Sequence, residues 1–373
     1  VATPYAIELR RNSFQFASIR QMNDCLASAY PHLAEHLPKT RLADLPTPLI
    51  ERTIKTAKGN RRVAIKCDDR TAELYGGNKV RKLEYLLYRA SERKAQRIAT
   101  FGTVASNHAL ATALFSKSLG FGCICLLSHQ ARTRNAPRVL NMHLQNGTKI
   151  VHYGGSYANR VHTLRTHLWS RQTWVIPAGG SSWLGAVGFV NAGLEVADQV
   201  ASGIILPPDR LYVANGTMAT AAGLALGLAL AGLTTEVQAI RVTHESIANP
   251  RAMRRLLVKT ATLLNRLDPA IPADLADRSR LCFRDDFFGA GYAHSNSATD
   301  RAIDVARDEL GLTLEATYTG KAMAAMLHDL AQGAHSQQSM LFWNTYNSRP
   351  LPVSTERPAD VSRLPEEFLR YLD

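Results

Sequence analysis

The chain has 373 residues, 46% hydrophobic and 20% charged, with a formal charge of +13 from 44 Lys and Arg against 31 Asp and Glu. This composition excludes a disordered or low-complexity chain, and the length favours two lobes over one. The basic residues are scattered, without a dense block or an aromatic-basic alternation, so the excess charge argues for anionic ligands rather than a nucleic-acid partner.

Five cysteines (Cys25, Cys67, Cys123, Cys125, Cys282) are odd in number and widely spread. They form neither a disulfide framework nor a zinc spacing, and a reducing cytoplasm fits them. No signal peptide is expected, although a chain that begins at Val1 can have been processed. Leu211 to Leu233 carries no charge over 23 residues, long enough to cross a bilayer. Asn215, Gly216 and several Thr interrupt it, so it reads as strand, loop and buried helix, and no membrane partner is expected.

Residues 1–45 read as an N-terminal extension packed on the body or on a second subunit. Pro46 and Pro48 stiffen the lead-in to a strand over 62–66. Gly76-Gly77-Asn78 then forms a turn into a helix with Lys79 in its first turn and Leu83, Leu86, Leu87 and Ala90 on one apolar stripe. A lysine buried at a helix N-terminus has a lowered pKa, which suits an amine that must be neutral to attack a carbonyl.

From Arg97, strands at 97–101, 122–127, 149–153 and 173–177 alternate with helices at 107–119, 134–146, 157–171 and 184–202. The alternation resumes with strands at 210–214 and 237–242 and helices at 218–232 and 249–266. Helices at 298–310 and 321–332 and a strand at 340–344 end it. This predicts an α/β fold with mostly parallel sheets flanked by helices in two lobes. Residues 46–88 and 190–373 make the larger lobe, and 89–189 a smaller inserted one.

Ligands collect where such strands run into helix N-termini. Four loops qualify: the Lys79 turn, Gly102 to His108, Pro177 to Gly185, and Ala214 to Leu224. The second has Ser106, Asn107, His108 and backbone N–H groups to hold a carboxylate, although the loop taken alone favours a plain Ser/Asn helix cap. The fourth offers backbone amides and Thr hydroxyls to a phosphate, without a Walker or dinucleotide glycine pattern. An amine, a phosphate cradle and a carboxylate cradle together suit pyridoxal 5'-phosphate attacked by an amino acid.

Gly76-Gly77-Asn78-Lys79, Arg81-Lys82-Leu83-Glu84, Ser106-Asn107-His108, Gly179-Gly180-Ser181 and Tyr318-Thr319-Gly320-Lys321-Ala322-Met323 resemble the D-cysteine desulfhydrase and 1-aminocyclopropane-1-carboxylate deaminase family. These are pyridoxal-phosphate enzymes of the tryptophan synthase β-like type (fold type II), and the resemblance spans about residues 45–347. It implies that Lys79 is the Schiff-base lysine and also moves the substrate α-proton. It implies that Asn107 bonds the cofactor's ring hydroxyl oxygen and that Ser106 and His108 bind the substrate carboxylate. Asn215, Gly216, Thr217, Met218, Ala219 and Thr220 match the phosphate loop. Tyr292 and Tyr318 match tyrosines on the substrate side of the ring, and Thr319 stands near the ring nitrogen. A homodimer is implied as well.

Thr319 and His108 take the place of a glutamate and a glutamine found in the deaminase branch. A hydroxyl supports the ring nitrogen less than a carboxylate does, which leans the reading towards α,β-elimination on a D-cysteine-like amino acid, giving a keto acid and ammonia. Ring opening, β-replacement or racemisation on the same cofactor is the alternative, and a catalytically silent binding protein is the rival of another class. The chain departs from the family at Met218 and Ala219, at Ala109-Leu110, and at Asn344-Thr345-Tyr346-Asn347. The following Arg349 suits either an acidic β-substituted substrate or, equally, a plain surface arginine.

Overall fold

A computed structural model describes residues 24–56, 59–332, 338–350 and 360–372. Two short helices, α1 (Cys25–Ala29) and α2 (Pro31–His36), precede the hairpin β1 (Leu49–Thr56) and β2 (Gly59–Lys66) and the helix α3 (Lys79–Glu92). Then come β3 (Arg97–Thr103), α4 (Asn107–Ser118), β4 (Gly122–Ser128), α5 (Ala136–Gln145), β5 (Lys149–His152), α6 (Tyr157–Leu168), β6 (Thr173–Ile176) and α7 (Trp183–Ala201). The body ends with β7 (Arg210–Asn215), α8 (Ala219–Leu230), β8 (Glu236–Arg241), α9 (Pro250–Leu267), α10 (Leu275–Arg278), β9 (Leu281–Arg284), α11 (Ser297–Leu310), α12 (Thr319–Ala331) and β10 (Met340–Trp343).

Two sheets result. The smaller has the order β5-β4-β3-β6 and is parallel throughout, with Thr100 of β3 beside Cys125 on one flank and Ile176 on the other. The larger has the order β1-β2-β10-β7-β8-β9, parallel except for the antiparallel hairpin pair at its edge. The strands of the smaller sheet lie consecutively in sequence between those of the larger. The expected boundary at 189/190 falls inside α7.

The uncharged stretch from Leu211 resolves into β7, a loop and the buried helix α8, and among the described residues no helix is long and apolar enough to cross a membrane. Gly193 of α7 meets Gly227 of α8 so closely that an added Cβ on Gly193 would stand 2.8 Å from the Gly227 backbone. Two glycines thus let the main chains of these central helices touch, and any side chain there would force them apart.

Of the N-terminal extension, residues 1–23 lie outside the described residues. The remainder packs on the body: Leu26, Leu33, Leu37 and Ala43 join the main core, and Leu42 and Ala43 donate their N–H groups to Glu84 on α3. A buried ionic cluster joins β2, α3 and α7. Arg81 bonds Asp68 at 2.8 Å and Glu195 at 2.9 Å, Lys66 reaches Glu195 at 2.5 Å, and Trp343 donates to Asp68. Two cations and two anions balance, which is how charges with exposures of 0–2% are tolerated.

Candidate active site

A cavity of about 480 Å³, a size suited to a small ligand, opens at the carboxyl ends of strands from both sheets. Lys79, Ser106, Asn107, His108, Asn215, Gly216, Thr217, Met218, Thr220, Tyr292 and Tyr318 all line it. Five stretches far apart in sequence thus meet in one space.

Lys79 opens α3 at a turn that only glycine permits. A Cβ on Gly76 would stand 1.9 Å from the Asp69 carbonyl oxygen, and Gly77 has φ +93° with Thr345 O 2.9 Å from its would-be Cβ. The turn is tied down by bonds from Gly77 N to Asp68 O (2.7 Å) and Gly76 N to Asn347 Oδ1 (2.7 Å). Asn78 Nδ2 donates to Thr220 Oγ1 at 3.0 Å, joining the head of α3 to the head of α8. Among the described residues no group is hydrogen-bonded or ion-paired to the Lys79 amine, and burial lowers its pKa to about 8. At neutral pH most of this amine is still protonated, but its neutral, nucleophilic fraction is far larger than that of an ordinary lysine.

The helix-cap reading of the second loop holds for Ser106. Its Oγ caps α4 by accepting from Ala109 N at 3.2 Å, and the residue also lines the cavity. Asn107 presents its Oδ1 to the Tyr75 hydroxyl at 3.1 Å. His108 is buried, and burial followed by the charges of Lys79 and Lys82 holds its pKa well below the usual value. Thr100 gives its hydroxyl hydrogen to Ile176 O at 3.0 Å, so it accepts from His108 Nε2 at 2.9 Å. The ring is thus neutral with its proton on Nε2, and it offers a substrate carboxylate no positive charge.

The loop after β7 keeps a cradle shape without the expected glycines. Met218 adopts φ +74°, ψ −29°, a left-handed conformation that glycine takes without strain, at a cost of about 1–2 kcal/mol. Asn215 is 1% exposed, and neither its Oδ1 nor its Nδ2 has a partner among the described residues. Buried amides are rarely left so. An orphaned amide beside the free N–H groups at the head of α8 fits a bound phosphate group. Ala219 stands apart from expectation: its side chain is fully buried away from the cavity, and its N–H is taken by Ser181 Oγ at 3.2 Å and Thr217 O at 3.0 Å. Gly179 and Gly180 carry the adjoining loop, whose Ser181 hydroxyl donates to Thr217 O.

On the other wall the hydroxyls of Tyr292 and Tyr318 meet at 2.6 Å, with Thr103 Oγ1 3.3 Å from Tyr292. Burial raises the pKa of both, so each keeps its proton at neutral pH. Lys321 steadies the segment ahead of Tyr292 by donating to Phe288 O (2.6 Å) and Gly291 O (2.8 Å). Thr319 does not line the cavity. It is fully buried, and its Oγ1 accepts from Glu315 N at 3.1 Å. Glu315 is the one carboxylate among the described lining residues, its oxygens accepting from the N–H groups of Thr317, Tyr318 and Thr319 at 2.7–2.9 Å at the head of α12.

Arg349 is also displaced from its expected role. It lines a separate hollow with Ile50, Arg52, Asp69 and Arg70, and among the described residues the candidate cavity is lined by lysines but by no arginine. Sequence reasoning missed Tyr75 and Glu315 as cavity residues. An acidic residue just ahead of a helix start was the available signal for Glu315. Nothing local marks Tyr75, whose partner lies 32 residues away.

Two sheets with a lone amine at one helix head and an orphaned amide at another are the architecture of a fold type II cofactor enzyme. The chain belongs to the family described as pyridoxal-phosphate dependent enzymes, which it matches over residues 40–345. It is 32% identical over 310 residues to D-cysteine desulfhydrases of Salmonella choleraesuis (strain SC-B67) and Salmonella paratyphi C (strain RKS4594), covering 81% of this chain and 91% of each relative. A solved structure described as an ACC deaminase homologue superposes with a TM-score of 0.70 at 26% identity, over 87% of this chain and 94% of that one. A fungal L-serine ammonia-lyase from Rhizomucor miehei shares the fold, with a TM-score of 0.56 at 17% identity, over 83% of this chain and 94% of that one. The chain is a pyridoxal-phosphate-dependent lyase of the elimination type, acting on a small amino acid.

Proposed function

We propose that this lyase removes a β-substituent from a small, uncharged amino acid, D-cysteine or a close analogue, with release of a keto acid and ammonia. The observation that carries the reading is the unpaired Lys79 amine sharing one cavity with the orphaned Asn215 amide and the head of α8. The names of the curated relatives support the substrate class. The absence of arginine among the described lining residues favours an uncharged side chain over an acidic one.

Lys79 would hold the cofactor, Asn215, Gly216, Thr217, Met218 and Thr220 its phosphate, and Asn107 its ring hydroxyl oxygen. Once bound, pyridoxal phosphate supplies the electron sink that makes the substrate α-hydrogen acidic. The chain's own groups do the rest. Lys79, freed by the substrate amine, is the base placed to take the α-hydrogen, because burial lowers its pKa to about 8 and so raises its neutral fraction over that of an ordinary lysine. Ser106 and Asn107 give hydrogen-bonding partners to the substrate carboxylate. Tyr292 and Tyr318, protonated and 2.6 Å apart, can pass a proton to a departing β-substituent.

Two lobes divided at 46–88 with 190–373 and at 89–189, a homodimer and a cytoplasmic setting complete the proposal. A panel of D- and L-amino acids, read by keto-acid formation, tests it. Pyruvate and ammonia from D-cysteine are expected, 2-oxobutyrate from 1-aminocyclopropane-1-carboxylate would point to ring opening, and no turnover with any amino acid would overturn it.

A further inference from the structure

Tyr75 is 3% exposed and lines the cavity, yet it has no part in the mechanism above. It sits directly before the Gly76-Gly77 turn, whose main chain is pinned to Asn347 and Asp68. Its ring therefore hangs from a rigid support. Its hydroxyl donates to Asn107 Oδ1 at 3.1 Å. Burial, reinforced by the neighbouring Tyr346 and Glu315, raises its pKa, so the one hydroxyl hydrogen stays in place for that bond at any working pH.

An asparagine amide has an acceptor at one end and donors at the other, and a half-turn exchanges them. The bond from Tyr75 occupies the acceptor end of Asn107, and no protein acceptor among the described residues engages its Nδ2. The donor end is what remains for a ligand in the cavity. A half-turn would break the Tyr75 bond and present an acceptor oxygen instead.

We propose that Tyr75 is a positioning residue that locks the Asn107 amide with its NH2 towards the cavity, so that it donates to the ring hydroxyl oxygen of bound pyridoxal phosphate. The inference rests on the proposed roles of Lys79 and Asn107. Donation to that oxygen favours its ionised form. Losing the lock lets the amide turn, weakens cofactor binding and makes the cofactor hold its proton more tightly.

The test uses the purified full chain, with pyridoxal phosphate titrated into wild type, Tyr75→Phe, Asn107→Ala and the double variant. The readouts are the visible absorption of the bound cofactor and its pH midpoint. Tyr75→Phe is expected to bind about fivefold more weakly and to shift the midpoint upward. In the Asn107→Ala background it is expected to change neither, because Tyr75 acts through Asn107. Unchanged affinity and midpoint in Tyr75→Phe, or an equal loss with and without Asn107, overturns the proposal. A wild type that binds no cofactor overturns instead the underlying assignment of Lys79. Should Tyr75→Phe not fold, a crystal structure of the cofactor-loaded wild type decides. The Asn107 amide between the Tyr75 hydroxyl and the ring hydroxyl oxygen is expected, and a Tyr75 hydroxyl touching the cofactor directly overturns the proposal.

Discussion

At the residue scale, burial sets the chemistry of single groups. The Lys79 amine, with a pKa of about 8, gains its neutral form as pH rises. The rate at which the cofactor-free protein takes up pyridoxal phosphate should climb with pH and level off above about 8 in stopped-flow absorbance. Lys79→Ala should abolish both the cofactor's covalent attachment, read by mass after reduction, and turnover. His143 on α5 is an instructive contrast. It is fully buried, neither ring nitrogen has a partner among the described residues, and burial lowers its pKa to about 4. Its folded-state pKa lies below the unfolded value of 6.5, so acid favours the unfolded chain, which takes up the proton first. The stability this site contributes is complete above pH 6.5. It falls by up to about 1.4 kcal/mol per pH unit as pH drops towards 4. Denaturant titrations of His143→Leu should show a flatter decline over that window.

At the scale of elements, the ionic cluster is the fastening that sequence patterns do not announce. Burial alone would raise the Glu195 pKa, but Arg81 and then Lys66 hold it down to about 2. The stability it contributes is therefore present above its ordinary value of 4.5 and fades as pH falls towards 2. Glu195→Gln leaves two buried cations undercompensated, and urea unfolding should show a loss of about 3–5 kcal/mol. The tail is a second fastening. Phe368 is fully buried and Tyr371 nearly so, and with Leu364 they cover the core formed by β4, α4 and α5. The Tyr371 hydroxyl accepts from Gln130 N and donates to Gln130 O. Phe368→Ala should lower stability by about 3–5 kcal/mol, visible as a reduced Tm.

These elements also show what was legible beforehand. From β3 to α9 the expected and observed bounds agree within a few residues, because strands buried on both faces are uninterrupted apolar runs between polar loops. The edge strand β1, with half of its residues exposed, has no such run and was not foreseen. Neither was β9, four residues long and only half-buried. The loops around Lys79, Ser106 and Asn215 were legible because tight turns and helix heads demand Gly, Asn and Ser. Glu315, Tyr75 and the misplaced Thr319 and Ala219 depend on which way a side chain or an N–H turns after packing, which one-dimensional spacing does not encode.

For the whole molecule, a cofactor bound only by the folded state should raise the thermal midpoint. At a hundredfold excess over its dissociation constant, pyridoxal phosphate should add about 2.7 kcal/mol. Differential scanning fluorimetry with and without it tests this, and Lys79→Ala should show a smaller gain. Light scattering on the same material would test the homodimer.

The bond between Asn78 and Thr220 has a mechanical consequence. On the proposed roles, it would tie the turn that presents Lys79 to the loop that would seat the coenzyme's phosphate. The jaw bearing Ser106 and Asn107 belongs to the smaller sheet. Breathing between the two sheets would widen the mouth for incoming substrate while the anchored group keeps its seat.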